Sequence, residues 1–244
     1  MKISLLNIWF SYDDKWVLKN ISLEFENGKT YLILGENGSG KSTLLKIVSG
    51  ILKPSYGEIL IDDKPISDIW ELRKLIGYVF QIPSSQIVGS TVEEDVAFAL
   101  ENMGVPRSKM VEKVEWALSV VGLLDLKKED PLNLSGGQKQ RLAIASVLAM
   151  SPNFLALDEP TSMLDPESKK EIMKVLKKLK EEGKGIIIVT HDLEYVEDID
   201  ETILLENGNI SFKGNLLNLF KAKPDSIDIP LKYRVFLECG KIID

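Results

Sequence analysis

Ile21, Leu23 and Phe25 alternate with polar neighbours, which predicts a half-buried antiparallel strand; the alternating segment from Ile3 to Phe10 is expected to pair with it. Three other stretches, Tyr31–Leu34, Phe154–Leu157 and Ile186–Val189, are short and continuously apolar, the texture of parallel strands buried on both faces. Each runs into a polar or glycine-containing loop, where α/β sheets hold their ligands. From Pro83 to Met150 the pattern turns helical. Val111, Val114, Leu118 and Val121 recur at helical spacing, and a second apolar helix is expected over Leu142–Met150. This stretch reads as a helical insertion into the sheet. Asp165 and Pro166 open a further helix, with Ile172, Leu176 and Leu179 inward and Gly183 at its end. Residues from about Lys221 onward form an extra segment after the core.

Composition narrows the possibilities. At 244 residues the chain fits one large domain with an insertion. Its net charge of −7 argues against a general nucleic-acid binder, which needs a basic surface. The single Cys239 excludes an internal disulfide or a cysteine-based zinc site and suits a reducing cytoplasm. Met1–Phe10 has no signal-peptide layout. No apolar run approaches the ~20 residues of a membrane span, so at a membrane the channel would come from other chains.

Three motifs carry chemistry. Gly35-Glu36-Asn37-Gly38-Ser39-Gly40-Lys41-Ser42-Thr43 has the form G-x-x-x-x-G-K-[ST], between a buried strand and a helix. Its glycines let backbone N–H groups turn in around the β- and γ-phosphates of a nucleotide, and the helix start adds its positive end. Lys41 supplies a charge between those phosphates and Ser42 a hydroxyl for Mg²⁺. Leu134-Ser135-Gly136-Gly137-Gln138, a rarer string, makes a second anion-receptive helix start; alone it could be a serine N-cap with flexible glycines. Phe154–Leu157 ends in Asp158, placed to hold Mg²⁺ through water, and Glu159, placed to polarise an attacking water. Solvated turn acids are the plainer reading of that pair.

In combination and in this order, the motifs resemble the ABC-type ATPases over nearly the whole chain. The resemblance implies an α/β fold: a P-loop NTPase core with an antiparallel β subdomain and a helical insertion subdomain. Residues 1–220 would form the ATPase domain, with its helical part at about 83–150 and a C-terminal extension at 221–244. ATP and Mg²⁺ follow as the bound groups. Gln81 falls at the family's Q-loop, which contacts Mg²⁺ and links the site to the helical insertion. Ser162-Met163-Leu164-Asp165 matches the D-loop that crosses to a partner subunit, although Asp165 equally suits an N-cap. His191, the only histidine, matches the switch histidine that contacts the γ-phosphate. Tyr12 matches the aromatic that stacks on adenine, with Phe10 and Trp16 close by as competitors. Two such domains would close head to tail. Ser135, Gly136, Gly137 and Gln138 of one would then cap the γ-phosphate held by the other's Lys41, with Asp165 at the same interface.

Within the family, the run Val79–Val88 and then Thr91–Phe98 looks like the ATPases of energy-coupling-factor importers, as does Thr161–Pro166. Ser84 and Ser85 depart from that pattern, where acids are common. Such importers take up vitamins or transition-metal ions. The resemblance therefore implies a second ATPase subunit (identical or a sister chain), a transmembrane coupling protein and a substrate-binding membrane protein, with this chain peripheral on the cytoplasmic side of the cell membrane. An ordinary importer or exporter ATPase is the main alternative. A chromosome or repair ATPase would carry a long coiled coil, and a translation factor two motor copies; neither is present. Two regions leave alternatives open. Glu93, Glu94 and Asp95 beside Val96, Ala97 and Phe98 could form an acidic rim on an apolar floor for a membrane partner's arginines, or simply decorate a helix start capped by Ser90 or Thr91. Ile227, Ile229, Leu231, Val235 and Phe236 could pack on the chain's own core or hold two subunits together.

Overall fold

The computed structural model describes residues 1–222, 227–231 and 233–234. Two sheets form the frame. Strands β1 (Lys2–Tyr12), β2 (Lys15–Glu26), β4 (Tyr56–Ile61) and β5 (Lys64–Pro65) make an antiparallel sheet in the order β2-β1-β4-β5. The expected pairing is present: Ile3 lies opposite Phe25, Leu5 opposite Leu23 and Ile8 opposite Ile21. The second sheet has the order β10-β9-β3-β8-β7-β6. Its members are β3 (Thr30–Leu34), β6 (Ile76–Val79), β7 (Phe154–Asp158), β8 (Gly185–Val189), β9 (Glu201–Glu206) and β10 (Asn209–Gly214). All neighbours in it are parallel except β9 and β10. The three apolar runs are its central strands β3, β7 and β8, each buried throughout.

The alternation of side chains divides the interior into two cores, one on each face of this sheet. Leu32, Leu155, Leu157, Ile186 and Ile188 face a helical layer. That layer comprises α3 (Val92–Asn102), α4 (Arg107–Val120), α5 (Gly136–Ala149) and α6 (Pro166–Glu181). Tyr31, Ile33, Phe154, Ala156, Ile187 and Val189 point the other way, against α1 (Lys41–Val48) and the antiparallel sheet. Two further helices, α2 (Trp70–Leu75) and α7 (Leu216–Ala222), are short. Gly77 and Gly185 are required by packing: a Cβ on Gly77 would stand 1.9 Å from Val147 Cγ1 and one on Gly185 2.1 Å from Phe154 Cδ1.

The helical insertion is present, with one correction. In α4 the inward residues are Val114, Ala117 and Leu118, while Val111 is half exposed. Met110 before it is partly buried against the helical core, so Val111 stands at the edge of the apolar stripe. After α7, whose end at Ala222 runs past residue 220, Ile227, Ile229 and Tyr233 pack against the helical core. The Tyr233 hydroxyl donates to the Val196 carbonyl (3.4 Å), and its ring lies 4.9 Å from that of Phe220. Leu231 is exposed, and Val235 and Phe236 lie outside the described residues. Among the described residues no helix is long and apolar enough to cross a membrane.

Candidate active site

Strand β3 ends at Leu34, and the chain turns through Gly35, Gly38 and Gly40 with φ of 143°, 83° and 107°, a region in which side-chain-bearing residues are strained. Space demands two of these glycines independently. A Cβ on Gly35 would meet the Leu205 carbonyl oxygen at 2.2 Å, and one on Gly40 the Leu18 Cδ2 at 2.7 Å. Helix α1 then starts at Lys41 without a side-chain cap. Among the described residues its first amides, those of Lys41, Ser42 and Thr43, are left for an outside acceptor, and the Ser39 hydroxyl is buried with no partner. A loop of bent glycines, uncapped helical amides and an orphaned hydroxyl fits a phosphate group.

Lys41 is nearly buried and folded back on this loop, donating to the carbonyls of Gly35 (2.7 Å) and Glu36 (2.8 Å). Burial lowers its pKa from the ordinary lysine range, while the charges of Glu159 and Asp158 pull the other way. Because α1 packs on the face to which Asp158 points, Ser42 reaches it: the hydroxyl donates to Asp158 Oδ1 at 3.0 Å. The second oxygen, Oδ2, accepts from the Tyr78 hydroxyl at 2.8 Å. Burial first, then the neighbouring Asp158 charge, holds the Tyr78 phenol well above its usual pKa, so it remains a donor.

Glu159 follows with φ 51°, a left-handed turn that swings its carboxylate toward the end of β8. There Oε2 accepts from the Thr190 hydroxyl (3.1 Å) and the His191 amide (3.4 Å), and Oε1 lies 2.9 Å from His191 Nδ1. The imidazole is three-quarters exposed, whereas the glutamate side chain is only 11% exposed. Gln81 stands exposed just beyond β6 and lines an open cleft of about 550 Å³ with Ser162, Met163 and His191; Asp228 and Pro230 of the C-terminal segment close one side. Beside it Lys169 pairs with Asp192 at 2.5 Å. Tyr12, at the end of β1, is half exposed, its ring edge-on to Phe10 at 4.8 Å.

The 135–138 segment is a capped helix start. Ser135 accepts from the Gln138 amide (3.2 Å), and the Gln138 side chain accepts from the Ser135 amide (2.8 Å), a reciprocal capping box. Gly137 is needed for close approach, since a Cβ there would lie 2.3 Å from Ser168 Oγ. Ser168 belongs to the first turn of α6, which Asp165 caps: Oδ1 accepts the Ser168 amide and Oδ2 its hydroxyl. Those bonds hold the Asp165 carboxyl below its usual pKa. Both readings of Ser135 and Asp165 therefore include a real capping role. Among the described residues no hydrogen bond joins 135–138 to the glycine loop.

The acidic run departs from a continuous rim. Helical geometry turns Asp95 inward, where it is 3% exposed and accepts from the amides of Val88 (2.7 Å) and Gly89 (3.0 Å) and from the Ser146 hydroxyl (2.7 Å). Thr91 caps α3, Glu93 pairs with Lys128, and Val96 is buried. Glu94 and Phe98 are the members left at the surface. Tyr78 and Thr190 are the site residues that motif reasoning missed; only the register of β6 on β7 brings Tyr78 to the site.

The family model described as ABC transporter matches residues 18–162. The chain belongs to this family of ATP-hydrolysing transporter subunits, and within it to the energy-coupling factor transporter ATPases. It is 55% identical over 242 residues to the energy-coupling factor transporter ATP-binding protein EcfA1 of Thermotoga maritima, covering 99% of this chain and 93% of that one. The protein of the same name from Enterococcus faecalis is 43% identical over 94% of this chain and 84% of its own. Among solved structures, cbiO1 of Clostridium perfringens, described as part of the ABC transporter complex cbiONQ, superposes with a TM-score of 0.85 at 39% identity, covering 98% of this chain and 95% of that one. A dimeric ATP-binding cassette in a post-hydrolysis state with ADP and Pi gives a TM-score of 0.76 at 33% identity, over 88% and 98% of the two chains.

Proposed function

We propose that this chain binds and hydrolyses ATP with Mg²⁺ to power an energy-coupling-factor importer of a vitamin or a transition-metal ion. The observation that carries the reading is the convergence of an uncapped glycine loop, Lys41 and the Ser42–Asp158 pair at the ends of β3 and β7. Residues 35–43 would cradle the phosphates. Lys41 would exchange its carbonyl partners for phosphate oxygens, an anion that offsets its burial. Ser42, Asp158 and Gln81 would hold Mg²⁺, which when bound neutralises charge on the phosphates. Glu159 would orient the attacking water once His191 turns from its carboxylate toward the γ-phosphate. Tyr12 would stack on the adenine.

Ser135, Gly136, Gly137, Gln138 and Asp165 would complete the site of a second ATPase subunit. Their separation from the chain's own loop supports this, as does the dimer of the related cassette with ADP and Pi. The ATPase domain would span 1–220, with its helical part at about 83–150 and the extension at 221–244. Membership of a transporter complex in the related cbiO1 supports a transmembrane coupling protein and a substrate-binding membrane protein as partners, with this chain peripheral on the cytoplasmic side. The test is co-expression with a transmembrane coupling protein and a substrate-binding membrane protein, purification in detergent, and Mg²⁺-dependent ATP turnover coupled to ligand uptake in proteoliposomes. Outward transport, or failure of any membrane protein to co-purify, would overturn the reading.

A further inference from the structure

We infer that Tyr78 is a positioning residue for the metal end of the site: its phenol orients the Asp158 carboxylate so that one chosen oxygen is presented beside Ser42. The inference rests on Asp158 and Ser42 being the metal-holding pair.

The placement follows from sheet register. Strands β6 and β7 are parallel, with Tyr78 opposite Ala156. Residues two apart on a strand share a face and are separated by about 6.6 Å along it. Asp158 therefore lies one such step beyond Ala156 on Tyr78's side. Ala156 has only a methyl group, so the long tyrosine side chain can lie over it and deliver its hydroxyl to the strand end. That hydroxyl meets Oδ2 at 2.8 Å, while Ser42 engages Oδ1 at 3.0 Å. With one donor on each oxygen, from β6 and from α1, rotation of the carboxylate is fixed, and Oδ1 is the oxygen paired with the serine hydroxyl. The ring itself is held by Phe80, whose centroid is 4.8 Å away at 70°. Tyr78 is 8% exposed, and among the described residues its hydroxyl has no hydrogen-bond partner other than Asp158, so the bond has no competing use. Phenylalanine would fill the same volume and leave Oδ2 without its donor.

The experiment compares the full chain with Tyr78→Phe, using a non-hydrolysable ATP analogue so that binding is read apart from turnover. Mn²⁺ affinity is titrated by electron paramagnetic resonance in the presence of the analogue, and analogue affinity is measured again in EDTA. The expected result is a Mn²⁺ affinity weakened about tenfold, the usual scale for loss of an outer-shell partner, with metal-free nucleotide affinity unchanged. Unchanged Mn²⁺ affinity would overturn the inference. So would an equal fall of both affinities, which marks a loosened fold rather than a turned carboxylate. Thermal melting verifies folding; should the phenylalanine variant fail it, Tyr78→Met supplies an apolar side chain of similar reach and is read by the same two titrations. If the unaltered protein shows no metal-dependent nucleotide binding, it is the reading of Asp158 and Ser42 that fails, an outcome separate from the other two.

Discussion

Ser146 on α5 donates its hydroxyl to Asp95 on α3 at 2.7 Å, linking two helices across 51 residues of sequence. The same carboxylate accepts two amides from the segment that follows Gln81, so three pieces of the helical layer meet on one side chain. Gln86 adds a parallel tie, donating from Nε2 to the Ala143 carbonyl of α5 at 3.3 Å. The loop after Gln81 is thus fastened to the helix that begins at Ser135. Asp95→Ala strands the amides of Val88 and Gly89, while the Ser146 hydroxyl keeps the Leu142 carbonyl, and is expected to cost about 2–3 kcal/mol in urea unfolding. Ser146→Ala should cost about 1 kcal/mol, because the carboxylate keeps its amide donors.

Glu159→Gln keeps the size of the side chain and an acceptor for Thr190, but removes the charge that would orient water. ATP affinity should stay near that of the unaltered protein while turnover falls about 100-fold or more. Equilibrium nucleotide binding and single-turnover hydrolysis measure the two quantities separately. Turnover at the original rate would remove Glu159 from the chemistry.

Lys41 is mostly buried in the folded chain, with its pKa lowered chiefly by desolvation. The unfolded chain therefore holds that proton more tightly than the folded one. The cost is full below the depressed folded value and disappears as pH rises toward the ordinary value of 10.5. Lys41→Met should lose ATP affinity, yet in the nucleotide-free state be at least as stable as the parent at neutral pH, with its relative advantage shrinking at alkaline pH. Thermal melts between neutral and alkaline pH decide it, and a variant less stable at every pH would contradict the argument.

Glu94 and Phe98 remain at the surface of α3 after Asp95 and Val96 turn inward and Glu93 finds Lys128. An acidic and an aromatic group four positions apart share one helix face and suit an arginine-bearing partner. Glu94→Gln with Phe98→Ala should leave ATPase activity of the isolated chain intact and reduce recovery of the membrane complex. Full recovery and full transport would leave Glu94 as a helix-start charge only.

Removing residues from 223 onward should uncover Val196 and Phe220, which Tyr233 now touches, and lower the melting temperature. Solution mass on the same sample reports the second role considered for this segment. An unchanged nucleotide-free oligomer would confine it to packing on its own core.

Much of the architecture was legible because buried parallel strands are apolar on both faces, and β3, β7 and β8 each stand out as short unbroken runs. The glycine loop was legible too, since its φ values and close approaches admit no other residue at Gly35 and Gly40. What remained hidden depends on register and rotation between distant segments. Tyr78 looks like any strand aromatic until its level opposite Ala156 is known. Asp95 reads as one of three solvated acids, and only the angular position on α3 separates it from Glu93 and Glu94. Val111 fits the helical spacing, but it stands at the edge of the stripe that Met110, Val114 and Leu118 turn inward.

The chain's only imidazole sits three-quarters exposed against a carboxylate that is almost enclosed. In a magnetic resonance spectrum of this protein every histidine ring signal therefore has one origin, with no assignment needed. The two ring-proton signals of His191 form a built-in reporter: their shifts in the nucleotide-free chain record contact with Glu159, and their displacement on adding ATP would time the moment the ring lets go.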